Sequence, residues 1–349
     1  MHEWRIRARE RLAGICRLCK VCDGRACAGE VPGFGGVGTG ASFINNVEAL
    51  RRIKINMRTL HPVSQPCTQT ALFGIDLSTP VLGAAVGGAS INMKGIITED
   101  DLAWAMISGS ARAGSLGMGG DGGHEEVLES TLKSIKNCSK KGIPVIKPRL
   151  QGELLRRIRL AEDAGAPAVA IDVDAAGLVN MALLGQAVEP KDPRQISEIV
   201  QSTPLPVVLK GIMTPDEALL AAECGCSGIV VSNHGGRGID HCPGTASVLR
   251  DIASAVRGKL VVMVDGGIRS GVDVLKMLAL GADFCLVGRP LAQAAVGGGE
   301  EAVAEEIKRI TSELRVAMIM TGQSHVHKVS PNVIHEPESG IAPGLWISC

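Results

Sequence analysis

Tyrosine is absent from all 349 residues, so whatever site the chain builds has no phenolic hydroxyl to use. Net charge is absent too: 36 basic residues cancel 36 acidic ones, and no global field points to nucleic acid or an anionic membrane. No apolar run approaches membrane-spanning length, and Met1-His2-Glu3-Trp4-Arg5 does not open a secretory signal. The glycine-rich stretch 31–44 has no Gly-Lys-Ser/Thr ending and no strand before it, so it reads as a close-packed linker under the next domain, not a Walker loop. The expectation is a soluble cytoplasmic protein acting on a small molecule, with no nucleic acid and no membrane insertion. In that setting eleven cysteines read as thiols or metal ligands rather than disulfides.

Apolar residues at 45% and 44 glycines suit a well-buried α/β core with many tight turns. From about residue 68, short β-branched runs alternate with helical stretches. Candidate strands are Pro80–Ala84, Ser115–Met118, Pro144–Lys147, Ala168–Ile171, Pro206–Leu209, Gly228–Val231, Leu260–Val264 and Phe284–Val287. Helix starts are marked at Asp192-Pro193-Arg194-Gln195 and Thr214-Pro215-Asp216-Glu217. Glycines at 165, 225 and 281 mark stops just before strands. Eight strands with intervening helices predict a closed (β/α)8 TIM barrel, since Gly83–Gly88 lacks the Gly-x-Gly-x-x-Gly turn of an open dinucleotide fold. The predicted organisation is a cysteine-rich helical extension at 1–67, the barrel at 68–325 and a tail at 326–349. A helix is expected over 45–60, with Val47, Leu50, Ile53 and Met57 on one face.

Chemistry in such barrels sits where strands end at their C-terminal side. The sixth strand runs into Ser232-Asn233-His234-Gly235-Gly236-Arg237. An imidazole able to move a proton near neutral pH stands there three residues from a guanidinium able to grip a carboxylate with two hydrogen bonds. After the seventh and eighth strands, Gly266, Gly267, Arg269, the helix start at Ser270, Gly288 and Arg289 read as a phosphate site. Separately, Cys16-x2-Cys19-x2-Cys22-x4-Cys27 gathers four thiols within twelve residues. That spacing suits a soft metal, iron–sulfur ahead of zinc, or else a set of free thiols.

Together the stretches Leu209-Lys210-Gly211-Ile212, Ser232 to Arg237, Asp265 to Gly271 and Gly288-Arg289-Pro290 resemble the FMN-dependent 2-hydroxy-acid oxidases and dehydrogenases over about residues 68–325. The cysteine-rich start is similar to that of a divergent bacterial branch. The resemblance implies FMN, with His234 as base, Arg237 as carboxylate clamp and Asp174 supporting the imidazolium. Lys210 would lie by the flavin pyrimidine edge, with Lys147 and Ser232 also assigned to the cofactor. Asp265, Gly267, Arg269, Gly288 and Arg289 would hold ribityl and phosphate. Arg149 stands where the family has a substrate-facing tyrosine and is assigned to substrate. A second arginine expected after the aspartate on the fourth-strand loop finds no match in Asp174–Asn180. The resemblance further implies a homotetramer, with the electron acceptor left open. Competing readings are a non-redox FMN isomerase, similar to type 2 isopentenyl-diphosphate isomerases, and a flavin or metal redox sensor.

Overall fold

A computed structural model describes residues 3–139 and 141–335. Eight parallel strands close into a barrel: β1 (Val81–Val86), β2 (Gly117–Gly120), β3 (Gly142–Ile146), β4 (Val169–Asp172), β5 (Val207–Ile212), β6 (Gly228–Val231), β7 (Val261–Val264) and β8 (Phe284–Val287). Each overlaps one expected run. Helices fill all seven gaps between them, and the long helix Arg289–Ile319, broken at Gly298 and Gly299, follows β8. Alternate side chains divide two ways. Leu82, Met118, Val145, Ala170, Val208, Val230, Met263 and Leu286 form one buried cluster, which is the barrel interior. Val81, Ile146, Val169, Ile171, Leu209 and Val231 pack outward with the helices. Leu72 and Leu77 of a hairpin (Thr70–Leu72 with Ile75–Leu77) join the interior cluster and close one end.

Local signals explain the helix starts. Asp192 accepts from the Gln195 amide at 2.8 Å while the Gln195 side chain accepts from the Asp192 amide at 3.0 Å, a complete capping box. Pro215 occupies the first turn after Thr214, whose hydroxyl makes no capping bond to the backbone. The helix expected over 45–60 is Ala41–Arg52. Ile53 turns extended, Lys54–Ile55 pair with Ile334–His335, and Met57 is exposed. The expected tail is described only to His335, so its remainder at 336–349 lies outside the described residues.

The N-terminal extension is built into the barrel's active end. Helix Glu3–Arg11 lies on the long helix, with Arg7 Nε donating to Gly297 O at 2.8 Å and Arg11 Nη1 to Val296 O at 2.6 Å. The glycine-rich stretch lies across the mouth, not beneath the barrel: the Val37 amide donates to Gly236 O at 2.9 Å, and Arg289 donates to Phe34 O and Gly35 O.

Candidate active site

After β6 the chain enters the left-handed region three times in succession, at His234 (φ 57°), Gly235 (62°) and Gly236 (79°). Glycine accepts this freely, but histidine does so at a cost of about 1–2 kcal/mol. The turn is fixed from below. The His234 amide donates to Ser232 Oγ at 3.1 Å, Ser232 Oγ donates to Asp265 Oδ2 at 2.8 Å, and Asn233 exchanges amide bonds with Asn46 of helix Ala41–Arg52. His234 Nδ1 then faces Asp174 Oδ1 at 2.9 Å and Asp172 Oδ1 at 3.5 Å. Two carboxylates at Nδ1 place the ring proton there and leave Nε2 as the basic nitrogen.

Register sets the charges behind this histidine. Asp172 pairs with Lys210 across β4 and β5, and their side chains meet at 2.9 Å. Lys147 Nζ reaches the other Asp172 oxygen at 2.5 Å. Gly211 is required beside them, because a Cβ there would lie 2.6 Å from the Asp174 side chain. Burial opposes the Asp172 charge, yet His234, Lys147 and Lys210 hold its pKa well below the usual carboxylate range. Burial likewise opposes the Lys210 charge, but Asp172, Asp174 and Asp265 raise its pKa above the ordinary lysine value. Asp265 is raised, chiefly by burial, and its Oδ1 is sealed without a donor.

At the other end of the same cleft stand Gly266, Gly267, Arg269, Gly288 and Arg289. Burial and then the charges of Arg269 and Arg237 lower the Arg289 pKa to about 9, and burial lowers Arg237 to about 10. Arg269 Nε and Arg237 Nε are buried without acceptors. Arg289 carries its charge against burial and against two neighbouring guanidiniums, and two of the three have orphaned nitrogens, so the group calls for an anion. The expected help from the helix beginning at Ser270 is not on offer. Its first amides go to Asp273, which takes the Arg269 and Ser270 N–H groups, and to Glu313, which takes that of Gly271. An anion would rest on the glycine turns and arginines alone. One continuous cleft joins these arginines and glycine turns to His234, Lys210 and Lys147. Its orphaned Asp265 oxygen and unpaired arginines fit ribityl hydroxyls and a phosphate.

Comparison with known proteins agrees with this geometry. The profile of the FMN-dependent dehydrogenases matches residues 34–183 and 178–336. The chain belongs to this family. It is 31% identical to a 2-hydroxyacid oxidase of Dictyostelium discoideum, over 84% of this chain and 82% of that one. It is 32% identical to an L-lactate oxidase of a Nostoc species, over 86% and 91%. Among solved structures it superimposes on a single-residue variant of mandelate oxidase with 2-hydroxy-phenylacetamide at a TM-score of 0.77 and 30% identity, covering 95% of this chain and 96% of that one. A flavocytochrome b2 variant with sulfite bound follows at 0.75 and 26%, covering 86% and 80%.

As an FMN-dependent dehydrogenase the chain has FMN as its cofactor, and the expected residues divide into two groups. Lys147, Lys210, His234, Arg237, Asp265, Gly267, Arg269, Gly288 and Arg289 line the cleft together. Ser232 does not; fully buried, it braces Asp265 and the His234 backbone from behind. Arg149, expected at the substrate, also lies off the cleft wall. Its guanidinium is committed to Asp121, Gly122 O and Gln186. Two contributors were missed. Asp172 holds both lysines, and its signal was the Lys210 partner one strand over. Asn92 Oδ1 receives Arg237 Nη2 at 2.7 Å, and no local motif marks it. The cysteines of this FMN-dependent dehydrogenase lie close by. Cys16, Cys19, Cys22 and Cys27 line one small cavity with Phe34, Arg289 and Gln293, two of which also wall the FMN cleft.

Among the described residues no helix is long and apolar enough to cross a membrane.

Proposed function

We propose that the protein oxidises a 2-hydroxy acid to the 2-keto acid, with His234 as base and Arg237 as carboxylate clamp. The observation that carries this is the His234 ring, with Nδ1 on Asp174 and Nε2 left basic, in the cleft that also holds Arg237. FMN, when bound, supplies the hydride acceptor. Arg237 anchors the substrate carboxylate by a charge-assisted fork and so aims the 2-hydroxyl at His234. Nε2 takes the hydroxyl proton, and Asp174 and Asp172 stabilise the resulting imidazolium. Lys210, kept protonated by three carboxylates, and Lys147 offset negative charge growing in the cleft. Anaerobic bleaching of bound flavin by a panel of 2-hydroxy acids tests this. A panel that leaves the flavin oxidised removes the reading in favour of isomerase or sensor chemistry.

The four cysteines support an iron–sulfur site, and we infer one there. Cys16, Cys19, Cys22 and Cys27 all line one cavity, and Phe34 and Arg289 of that cavity also wall the FMN cleft, which suits a cluster that takes electrons from the flavin. Burial raises the Cys16 thiol and pushes Cys27 up to about 11, so loading must expel protons. When bound, such a cluster supplies one-electron transfer. Anaerobically prepared protein should contain iron and sulfide, lost in Cys19→Ser with FMN retained. Stoichiometric zinc without sulfide overturns this part alone.

A further inference from the structure

One turn after Arg289 on the long helix comes Gln293, and the two side chains line the same small cavity with the four cysteines. Its neighbours Leu291, Ala292, Ala294, Ala295 and Val296 are buried and apolar, and Gln293 itself is 8% exposed. A buried amide among such residues costs free energy unless its N–H groups find acceptors. The acceptor here is a sulfur: Nε2 donates to Cys16 Sγ at 3.3 Å. A second donor reaches the same group of thiols, Arg269 Nη2 meeting Cys22 Sγ at 3.5 Å and Cys22 O at 3.4 Å. A neutral thiol is a weak acceptor, whereas a metal-bound thiolate accepts strongly and cannot donate. Two N–H donors aimed at two of the four sulfurs are therefore fitted to a metal-bound, negatively charged state of the site. The donors differ in one respect. Arg269 also walls the FMN cleft, and Gln293 does not.

We propose that Gln293 raises the reduction potential of an iron–sulfur cluster at Cys16, Cys19, Cys22 and Cys27 by donating a hydrogen bond to the Cys16 sulfur. The inference rests on the iron–sulfur reading above. On reduction such a cluster gains one electron, and part of the added charge falls on the cysteine sulfurs. An N–H dipole pointed at one of them stabilises the reduced form more than the oxidised form, which raises the potential. Gln293 carries no charge and stands off the flavin cleft, so it adjusts the cluster without adjusting the flavin. Arg269, which faces both sites, cannot separate the two. Gln293 is thus a positioning and tuning residue that acts through Cys16.

The test is an anaerobic redox titration of the full chain with dithionite as the electron donor and mediator dyes. Electron paramagnetic resonance follows the reduced cluster, and absorbance follows the flavin. In Gln293→Leu the ratio of reduced to oxidised cluster at a fixed ambient potential should fall about 3–10-fold. For one electron a tenfold change is about 59 mV. The flavin potential should not move. Gln293→Met, unbranched and also without an N–H, should lower the cluster as far. A cluster potential unmoved in both variants, or a shift shared equally by the flavin, overturns the assignment and leaves the cluster standing. Should neither variant take up iron, the unmodified protein decides. With an isotopic nitrogen label in its glutamine side chains, the reduced cluster should show coupling to that nitrogen, because Gln293 is the only glutamine lining the cavity. No such coupling overturns the assignment. Zinc at the cysteines with no sulfide removes the iron–sulfur reading and this inference with it.

Discussion

A histidine at φ 57° between an asparagine and two glycines is held where it would not sit unaided. Ser232 and the Asn233–Asn46 pair hold it there, so a test of its chemistry should preserve that turn. Asparagine tolerates the left-handed region, and His234→Asn should keep FMN while slowing substrate-driven reduction by about 10²–10⁴-fold. Single-turnover reduction at the unmodified rate would remove His234 from the proton transfer. Arg289 gives a pH dependence with a definite sign. Without the anion, burial and the charges of Arg269 and Arg237 lower its pKa to about 9; a phosphate would raise it again. FMN affinity is therefore full below pH ~9 and weakens as pH rises through that value, approaching tenfold per unit for one linked proton. A fluorescence titration of the apoprotein from pH 7 to 10.5 should show this; an affinity flat across pH 9 would mean Arg289 keeps its charge through that range and gives no pH dependence.

Among the elements, the loop after β6 and the glycine-rich arm are fitted to each other. A Cβ at Gly236 would lie 2.3 Å from the Phe43 amide, at φ 79°. Gly236→Ala should destabilise by more than about 1 kcal/mol and loosen FMN, read by denaturant unfolding and flavin release; unchanged values for both would show the fit is slack. What the sequence made legible follows the same division. The eight strands could be read because each is a short β-branched run bounded by glycine or proline, and their ends delivered His234, Arg237, Lys210 and both glycine turns. Features that depend on a distant partner were not legible. Helix Ala41–Arg52 stops early because Lys54–Ile55 pair with Ile334–His335, nearly the whole chain away. Arg149 looked like a rim cation, but Asp121 on a neighbouring loop claims it. Asp172 was passed over for Asp174, although only cross-strand register shows that it faces Lys210.

For the molecule as a whole, Asp121 is a point on which two buried arginines depend. Its carboxylate meets Arg149 at 3.3 Å and Arg157 at 2.8 Å, all three side chains almost sealed from water. Asp121→Asn would remove the carboxylate that both buried guanidiniums share, and Arg149's only carboxylate contact among the described residues, and should cost about 3–5 kcal/mol in chemical unfolding. A loss below about 1 kcal/mol would mean that Gln186, Glu125 and Glu153 suffice to hold them. The arm across the barrel mouth has a further bearing, on the order in which the molecule is made. Phe34 and Gly35 leave the ribosome long before Arg289, whose guanidinium binds their carbonyls, and Arg7 and Arg11 seat on Val296 and Gly297. At about 5–20 residues per second, the first forty residues wait roughly 15–60 s for their seat to be synthesised. The thiols at 16–27 spend that interval without their cavity wall, and the FMN end stays unfinished until Arg289 has been made.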